Sequence, residues 1–539
     1  MISPQARWPN WSQRACFFWL GLLLLTGCFN GGERADLVII NGREPESLDP
    51  AIISAQADGR IVQTLFEGLT RYNPVDATAE PGLAERWDVS ADGRIYTFHI
   101  RANAKWSNGE AITAHDFVYS WLRVLHPDTA ADCAGNLYYI KGAEDYNNGQ
   151  TTDTSTVAIK ALDDHTLRVE LVNPTPFFLE LCAYATQAIV HKATVEKYGD
   201  RWLQSKSAPT SGAYELVSWR LNDRVRVRKN TNYWDAANTQ LGVVDFLPVT
   251  LASTALNLYD THQADVIWDK DLVPSEILDL LLKRPDFHSF TNFASYFMRM
   301  NTTRKPFHDA RVRKAFSMSI DRQRLVEKVT RGGETPANFL VPNCLPFYQS
   351  PEGLGYDVEQ ARKLLAEAGY PNGEGFPRIE YTFSTGRDHE KIAVEMKDMW
   401  KKALNVDVGL RAVEFKVWLR LQSALDYDLI RSSWVGDYSD PNTFLDLFMS
   451  NNPNNRTGWK NAAYDELIRR ANSLPDRAAR VKLLRQAERV LIAEEAPIAP
   501  LYVYNGFNFW DPKKIGGIHM NIRDEHPIHA IRRIAPRDH

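Results

Sequence analysis

Cysteine is scarce in this 539-residue chain. Of the five, Cys16 and Cys28 lie near the N-terminus, and only Cys133, Cys182 and Cys344 follow. No two form a C-x-x-C pair or a zinc-ligand spacing, which sets aside zinc ribbons and thioredoxin-like redox sites. Also missing are H-E-x-x-H, G-x-S-x-G and a phosphate-cradling P-loop. Basic charge is not in excess: the formal net charge is −4, so nucleic acid finds no electrostatic footprint. The N-terminal apolar run Ala15–Leu25 is too short for a membrane-spanning helix, which needs about 20 residues. Aromatics, by contrast, reach 11%, with 15 Trp and 21 Tyr, enough for the walls of a broad cleft as well as for a core. At this length a single core has stopped growing, and two or three domains are expected.

The N-terminus predicts export. Arg7 and Arg14 precede the apolar run, and no acidic residue occurs before Glu33. The run ends in Leu25-Thr26-Gly27-Cys28, which resembles the bacterial lipobox. Residues 1–27 are then a cleaved signal, Cys28 carries lipid, and residues 28–35 form a tether. In an oxidising compartment a Cys133–Cys182 bridge and three inert thiols are equally open readings.

From Ala35 onward short strands alternate with amphipathic helices, which argues for an α/β or mixed architecture. Strands are expected at Leu37–Asn41, Arg94–Arg101, Leu167–Leu171, Tyr214–Trp219 and Arg224–Arg228. Thr113 reads as the cap of a helix over Ala114–Leu125, with Asp116 at the third helical position. Asp357 caps Val358–Ala368, with Gln360 at the box position and Gly369 as terminator. The strand Ile379–Phe383, helix His389–Leu404 and strand Val406–Leu410 make a βαβ unit, expected to be parallel and right-handed. His389 then stands where a strand's carboxyl end meets a helix N-terminus, a place that favours an anion. That it merely opens an exposed helix is an equally good reading of the residues alone.

Asp428–Phe444 (DLIRSSWVGDYSDPNTF) carries the densest signal. Arg431 interrupts a strand ending at Trp434, and Asp437 follows between Gly436 and Tyr438, before the turn Ser439-Asp440-Pro441. One guanidinium and one carboxylate among aromatics suit a ligand charged at both ends. For a lone aspartate, an Asx turn onto its own backbone is the blander and better-supported reading.

These pieces fit a pattern. Pro81–Pro127 (PGLAERWDVSADGRIYTFHIRANAKWSNGEAITAHDFVYSWLRVLHP) resembles the signature block of the oligopeptide-binding proteins of bacterial ABC importers. This extracellular solute-binding family also includes dipeptide, nickel and murein-peptide binders. Ser47-Leu48-Asp49-Pro50, Leu65–Leu69, Asp163–Leu171, Ser211–Tyr214 with Asn232-Tyr233-Trp234, Phe307–Val329 and Ala361–Tyr370 extend the resemblance, which runs from about Asp36 nearly to the C-terminus. It implies a type II periplasmic-binding-protein-like α/β fold, two lobes of mixed sheets with flanking helices plus an additional domain. Domain I would comprise residues 36–65, 192–293 and 505–539; domain II, 66–191; domain III, 294–504. The hinge would lie near residues 293–296 and 504–508.

The family likeness also assigns roles. It makes Asp437 the partner of a peptide α-ammonium. Ser433 and Val435, within Ser433-Trp434-Val435-Gly436, become backbone partners of the ligand. Arg431 and His389 would take its terminal carboxylate at different peptide lengths, and Trp268, Phe415 and Tyr504 would be aromatic walls. Ser54 and Cys133 stand where well-known members carry an acid and a Tyr, and Ala294 and Val435 where some carry a disulfide. The implied protein is a lipid-anchored, cofactor-free monomer that passes peptides of about two to five residues to a permease with its ATPase subunits. Nickel chelate, haem, oligosaccharide or murein peptide are alternative cargoes on the same fold. An exported hydrolase is disfavoured, because Asp388-His389-Glu390 point apart on their helix and Cys133 has the look of a buried structural thiol.

Overall fold

The computed structural model describes residues 34–53, 55–204, 208–386 and 388–535. Cys28, the leader and Ser54 lie outside the described residues. Among those described, no helix is long and apolar enough to cross a membrane.

One mixed sheet of eleven strands runs through both lobes. Its order is Val408–Val413, Ile379–Ser384, Leu429–Val435, Phe287–Met300, Ile498–Phe509, Val266–Ile267, Leu37–Ile40, Val243–Leu247, Arg224–Lys229 and Tyr214–Arg220, with Thr335–Pro336 added beside Ile498–Phe509. Leu37–Ile40 is buried along its whole length and has parallel neighbours on both sides, as its unbroken apolar run requires. Arg224–Lys229 alternates for a different reason. Val225 and Val227 enter the core, while Arg224 and Arg226 reach the buried Asp245 at 2.8 and 2.7 Å.

The βαβ unit forms as the residues predict. Ile379–Ser384 and Val408–Val413 are parallel neighbours joined by the helix His389–Leu404. The second strand starts two residues late, at Val408, because Asn405 turns left-handed (φ 55°) and Val406 and Asp407 serve as connection. Asp357 caps its helix by accepting from the Gln360 N–H at 2.9 Å. The Asp116 carboxylate accepts from the Thr113 N–H at 2.7 Å at the start of Ala114–Leu125.

A separate four-stranded antiparallel sheet (Ala84–Val89, Ile95–Ile100, Thr166–Glu170, Ile159–Asp163) packs with that helix around Phe98, Phe117, Trp121 and Phe178. Tyr438, far along the chain, joins this core by stacking on Phe177 at 3.8 Å. The two longest strands, Phe287–Met300 and Ile498–Phe509, are antiparallel neighbours that carry the sheet from one lobe into the other. Their register shifts between Thr291 and Ser295.

Candidate binding cleft

The strand Leu429–Val435 is half of an antiparallel ladder with Phe287–Met300, in which Ser433 faces Tyr296 and Val435 faces Ala294. Just past it, the Gly436 N–H donates to the Phe293 carbonyl at 2.8 Å. Pairs alternate along such a ladder. Trp434 and Ser432 therefore turn their backbone groups toward the partner strand, and Arg431, Ser433 and Val435 turn theirs away. Trp418 Nε1 confirms the alternation by donating to the Arg431 carbonyl at 3.1 Å. On that outer edge the strand Ile379–Ser384 pairs only with Leu429 and Ile430. Ser433 and Val435 thus present strand groups to open space. Gly436 is required by close approach, since a Cβ there would lie 2.4 Å from the Phe293 ring.

Asp437 follows at the end of this edge. Its N–H donates to Thr443 Oγ1 at 3.0 Å, and its carbonyl accepts from Arg523 at 2.7 Å. The carboxyl lines the cavity and is pushed up to about 6 by burial, against the pull of the Arg523 guanidinium and a hydrogen bond from Tyr184. The Asx turn belongs instead to Asp440, which accepts from the Asn442 N–H at 2.9 Å. Asp440 also holds Arg480 through two bonds of 2.6 and 2.7 Å, both side chains being buried. This pair fixes the loop that presents Asp437.

Arg431 marks the other end. It is 8% exposed, bonds the Tyr504 hydroxyl at 3.3 Å, and lies 5.2 and 5.1 Å from the ring centres of Tyr296 and Trp418. Its Nε is buried without a hydrogen-bond partner among the described residues. His389 begins its helix here, with Nδ1 3.4 Å from the Tyr296 hydroxyl. Lys270 holds its ammonium 3.6 Å from the Tyr504 ring centre. Phe415 opens the helix Phe415–Ser423, which Glu414 caps, and stacks on Trp418 at 5.2 Å while 42% exposed.

These groups surround a cavity of about 720 Å³, of a size that suits a small organic ligand. His389, Phe415, Arg431, Ser433, Trp434, Val435, Gly436, Asp437 and Tyr504 all line it. Two expected residues do not. Trp268 is 3% exposed and lies beneath Arg60, whose guanidinium is 4.6 Å from its ring centre. Its Nε1 donates to the Asp524 carbonyl at 3.2 Å. Arg60 covers the ring, so Trp268 supports the wall rather than forming it. Cys133 sits behind Ile53, its Sγ 3.8 Å from the Ile53 carbonyl, and Ile53 takes the place on the wall. Burial pushes its thiol up to about 12, with Asp437 and Asp132 adding to the effect, which leaves no thiolate nucleophile at neutral pH. Cys133 and Cys182 are both free thiols.

The sequence reading missed Arg60, Tyr184, Lys270, Trp418, Arg523 and Glu525, all of which line the cavity. Only the charged run Arg523-Asp524-Glu525 offered a signal. Segments far apart in the chain meet around the cavity: Tyr139 donates to Asp446 at 3.1 Å, and Glu180 accepts from the Ser439 N–H at 2.6 Å. Among the described residues no group of three or more His, Cys, Asp or Glu is placed to hold a metal ion.

Residues 78–456 match the family model described as bacterial extracellular solute-binding proteins, family 5, middle. The oligopeptide-binding protein OppA of Bacillus subtilis is 36% identical over 474 residues, 86% of each chain. Among solved structures, a periplasmic oligopeptide-binding protein of Borrelia burgdorferi superposes with a TM-score of 0.85 at 34% identity, covering 93% of this chain and 100% of that one. The murein tripeptide-binding protein MppA of Escherichia coli gives 0.83 at 35% identity, covering 93% and 99%.

Proposed function

The chain belongs to family 5 of the bacterial extracellular solute-binding proteins, and from that premise we propose that it captures short peptides outside the cytoplasm for an ABC importer. Solute binding rather than catalysis is the work of this family. The peptide lies extended along the free edge of Leu429–Val435, as in strand addition. Its α-ammonium pairs with Asp437, its main chain bonds Ser433 and Val435, and its carboxylate meets Arg431 or His389 according to length. Asp437 and Arg431 are six residue steps apart in the sequence. At about 3.3 Å per step, roughly four or five ligand residues fit between them once the two side chains' own reach is subtracted.

The observation that carries this reading is the open strand edge flanked by a buried carboxylate at one end and cations at the other. In the proposal the lobes close by rotation where the long strands Phe287–Met300 and Ile498–Phe509 shift register, and the contacts of Tyr139 and Glu180 form on closure. Cys28 anchors the protein to a membrane by lipid, and permease and ATPase subunits receive the peptide.

Native mass spectrometry of the purified protein, followed by calorimetric titration with di- to pentapeptides, tests the reading. Co-purified peptide masses and binding of unblocked peptides are expected; absence of both would sink it. A murein-type peptide is a second cargo, favoured by Lys270, His389 and Arg431 together lining one end, where a ligand with more than one carboxylate would be matched.

Acidity should weaken binding. In the closed cleft burial pushes the Asp437 carboxyl up to about 6, and a bound ammonium would hold it ionised. Binding therefore expels a proton at low pH, and affinity for a tetrapeptide without titratable side chains should fall between pH 7 and pH 5, by up to about tenfold. Titration at both pH values checks this. A pH-independent affinity would remove Asp437 as the ammonium partner.

A further inference from the structure

Glu525 is an acid of the cleft to which the peptide reading gives no role. It lies in the C-terminal tail and lines the cavity. Its charged neighbours are Arg523, Arg60 and Asp524, and the Tyr72 hydroxyl also faces it. Arg523 is committed elsewhere, and Arg60 spends both of its terminal nitrogens on other groups, its buried Nε having no hydrogen-bond partner among the described residues. Arg523 donates to Glu180 at 3.1 Å, to the Tyr72 hydroxyl at 2.9 Å and to the Asp437 carbonyl at 2.7 Å. Arg60 bonds Asp524 at 3.0 Å and the Trp268 carbonyl. Asp524 in turn accepts from Asn508 at 2.6 Å and pairs with His526 at 2.9 Å. Among the described residues nothing bonds or ion-pairs with the Glu525 carboxylate. Burial pushes it up to about 7, with Asp524 adding to the rise and Arg523 and Arg60 opposing it.

A carboxylate facing a cavity, bonded by neither nearby guanidinium, is matched by a ligand that brings a cation of its own. The α-ammonium is not that cation, because Asp437 takes it. Arg523, two residues before Glu525, donates to the Asp437 carbonyl, which places Glu525 in the ammonium half of the cleft. We propose that Glu525 is a specificity-determining residue, pairing with a lysine or arginine side chain carried by the first or second residue of the ligand. Resting on the peptide reading above, this gives the cleft a preference that its backbone anchors lack.

The experiment is calorimetric titration of the full-length protein with tetra-alanine and with tetrapeptides carrying one lysine at each position in turn. At pH 8, lysine at the first or second position should bind at least about tenfold tighter than alanine, and lysine at the fourth should gain nothing. The advantage should shrink as pH falls from 8 to 6 and Glu525 takes up its proton. Glu525→Gln should bring the lysine and alanine peptides to the same affinity, while Glu525→Asp should keep part of the difference. Equal affinities in the unaltered protein, or a lysine preference that survives Glu525→Gln, would overturn the inference and leave the peptide reading standing. If no peptide binds at all, both fall together.

Discussion

Asp437→Asn is expected to weaken binding of an unblocked tetrapeptide by roughly 100- to 1,000-fold, the usual cost of truncating one partner of a desolvated charge pair. The substitution keeps the shape and can still accept from Tyr184, whose hydrogen bond supports the carboxyl. The backbone bonds of residue 437 to Thr443 and Arg523 do not involve the altered atoms. What is lost is charge alone, where burial has already raised the cost of keeping it. The ligand's ammonium would then be buried without a counter-ion, and the complex should dissociate faster rather than form more slowly. Stopped-flow dissociation with a fluorescent tetrapeptide distinguishes the two.

Arg480→Met has the largest expected effect on stability. Arg480 is 2% exposed and holds the buried Asp440 by both oxygens. Removing the guanidinium leaves that carboxylate uncompensated, at a cost of about 3–5 kcal/mol. The loss is local at first. Asp440 shapes the turn between Asp437 and Asn442, so hydrogen exchange should rise across residues 436–446 before the global unfolding midpoint moves. Peptide affinity should fall as well, because Asp437 is no longer held in place. Pairing Arg480→Met with Asp440→Leu should restore part of the stability, since an apolar pair has no buried charge to neutralise. If exchange in that loop is unchanged, the ion pair does not hold the site.

Local signals were legible wherever the chemistry is local. Asp357 and the βαβ unit announced themselves by caps and periodicity, and both ends of His389–Leu404 fall where the residues place them. Arg431, Asp437 and the strand between them were visible as a charged interruption of an apolar run. The Asx turn was assigned to the wrong aspartate as a first reading. Asp437 and Asp440 look alike in sequence, and only the Arg480 partnership, forty residues away, separates them.

Parts of the site that come from distant segments left little trace. Trp268 was assigned to a cleft wall by the family likeness, but Arg60, from a helix more than two hundred residues earlier, covers it. Cys133 was displaced by Ile53 in the same way. Lys270 acquires its place only by resting on Tyr504, more than two hundred residues later in the chain. Glu525 becomes conspicuous only when the commitments of Arg523 and Arg60 are known. Contacts of this kind are set by how the lobes meet, which periodicity within one segment does not encode.

The most direct test of the account compares tetra-alanine with N-acetyl-tetra-alanine in calorimetric titration of the unaltered protein at pH 7.5. Acetylation removes the ammonium and leaves the strand-edge hydrogen bonds and the C-terminal carboxylate in place. If Asp437 anchors a peptide that lies along Ser433 and Val435, the acetylated peptide should bind roughly 100-fold more weakly or not at all. Equal affinity for the two would contradict it.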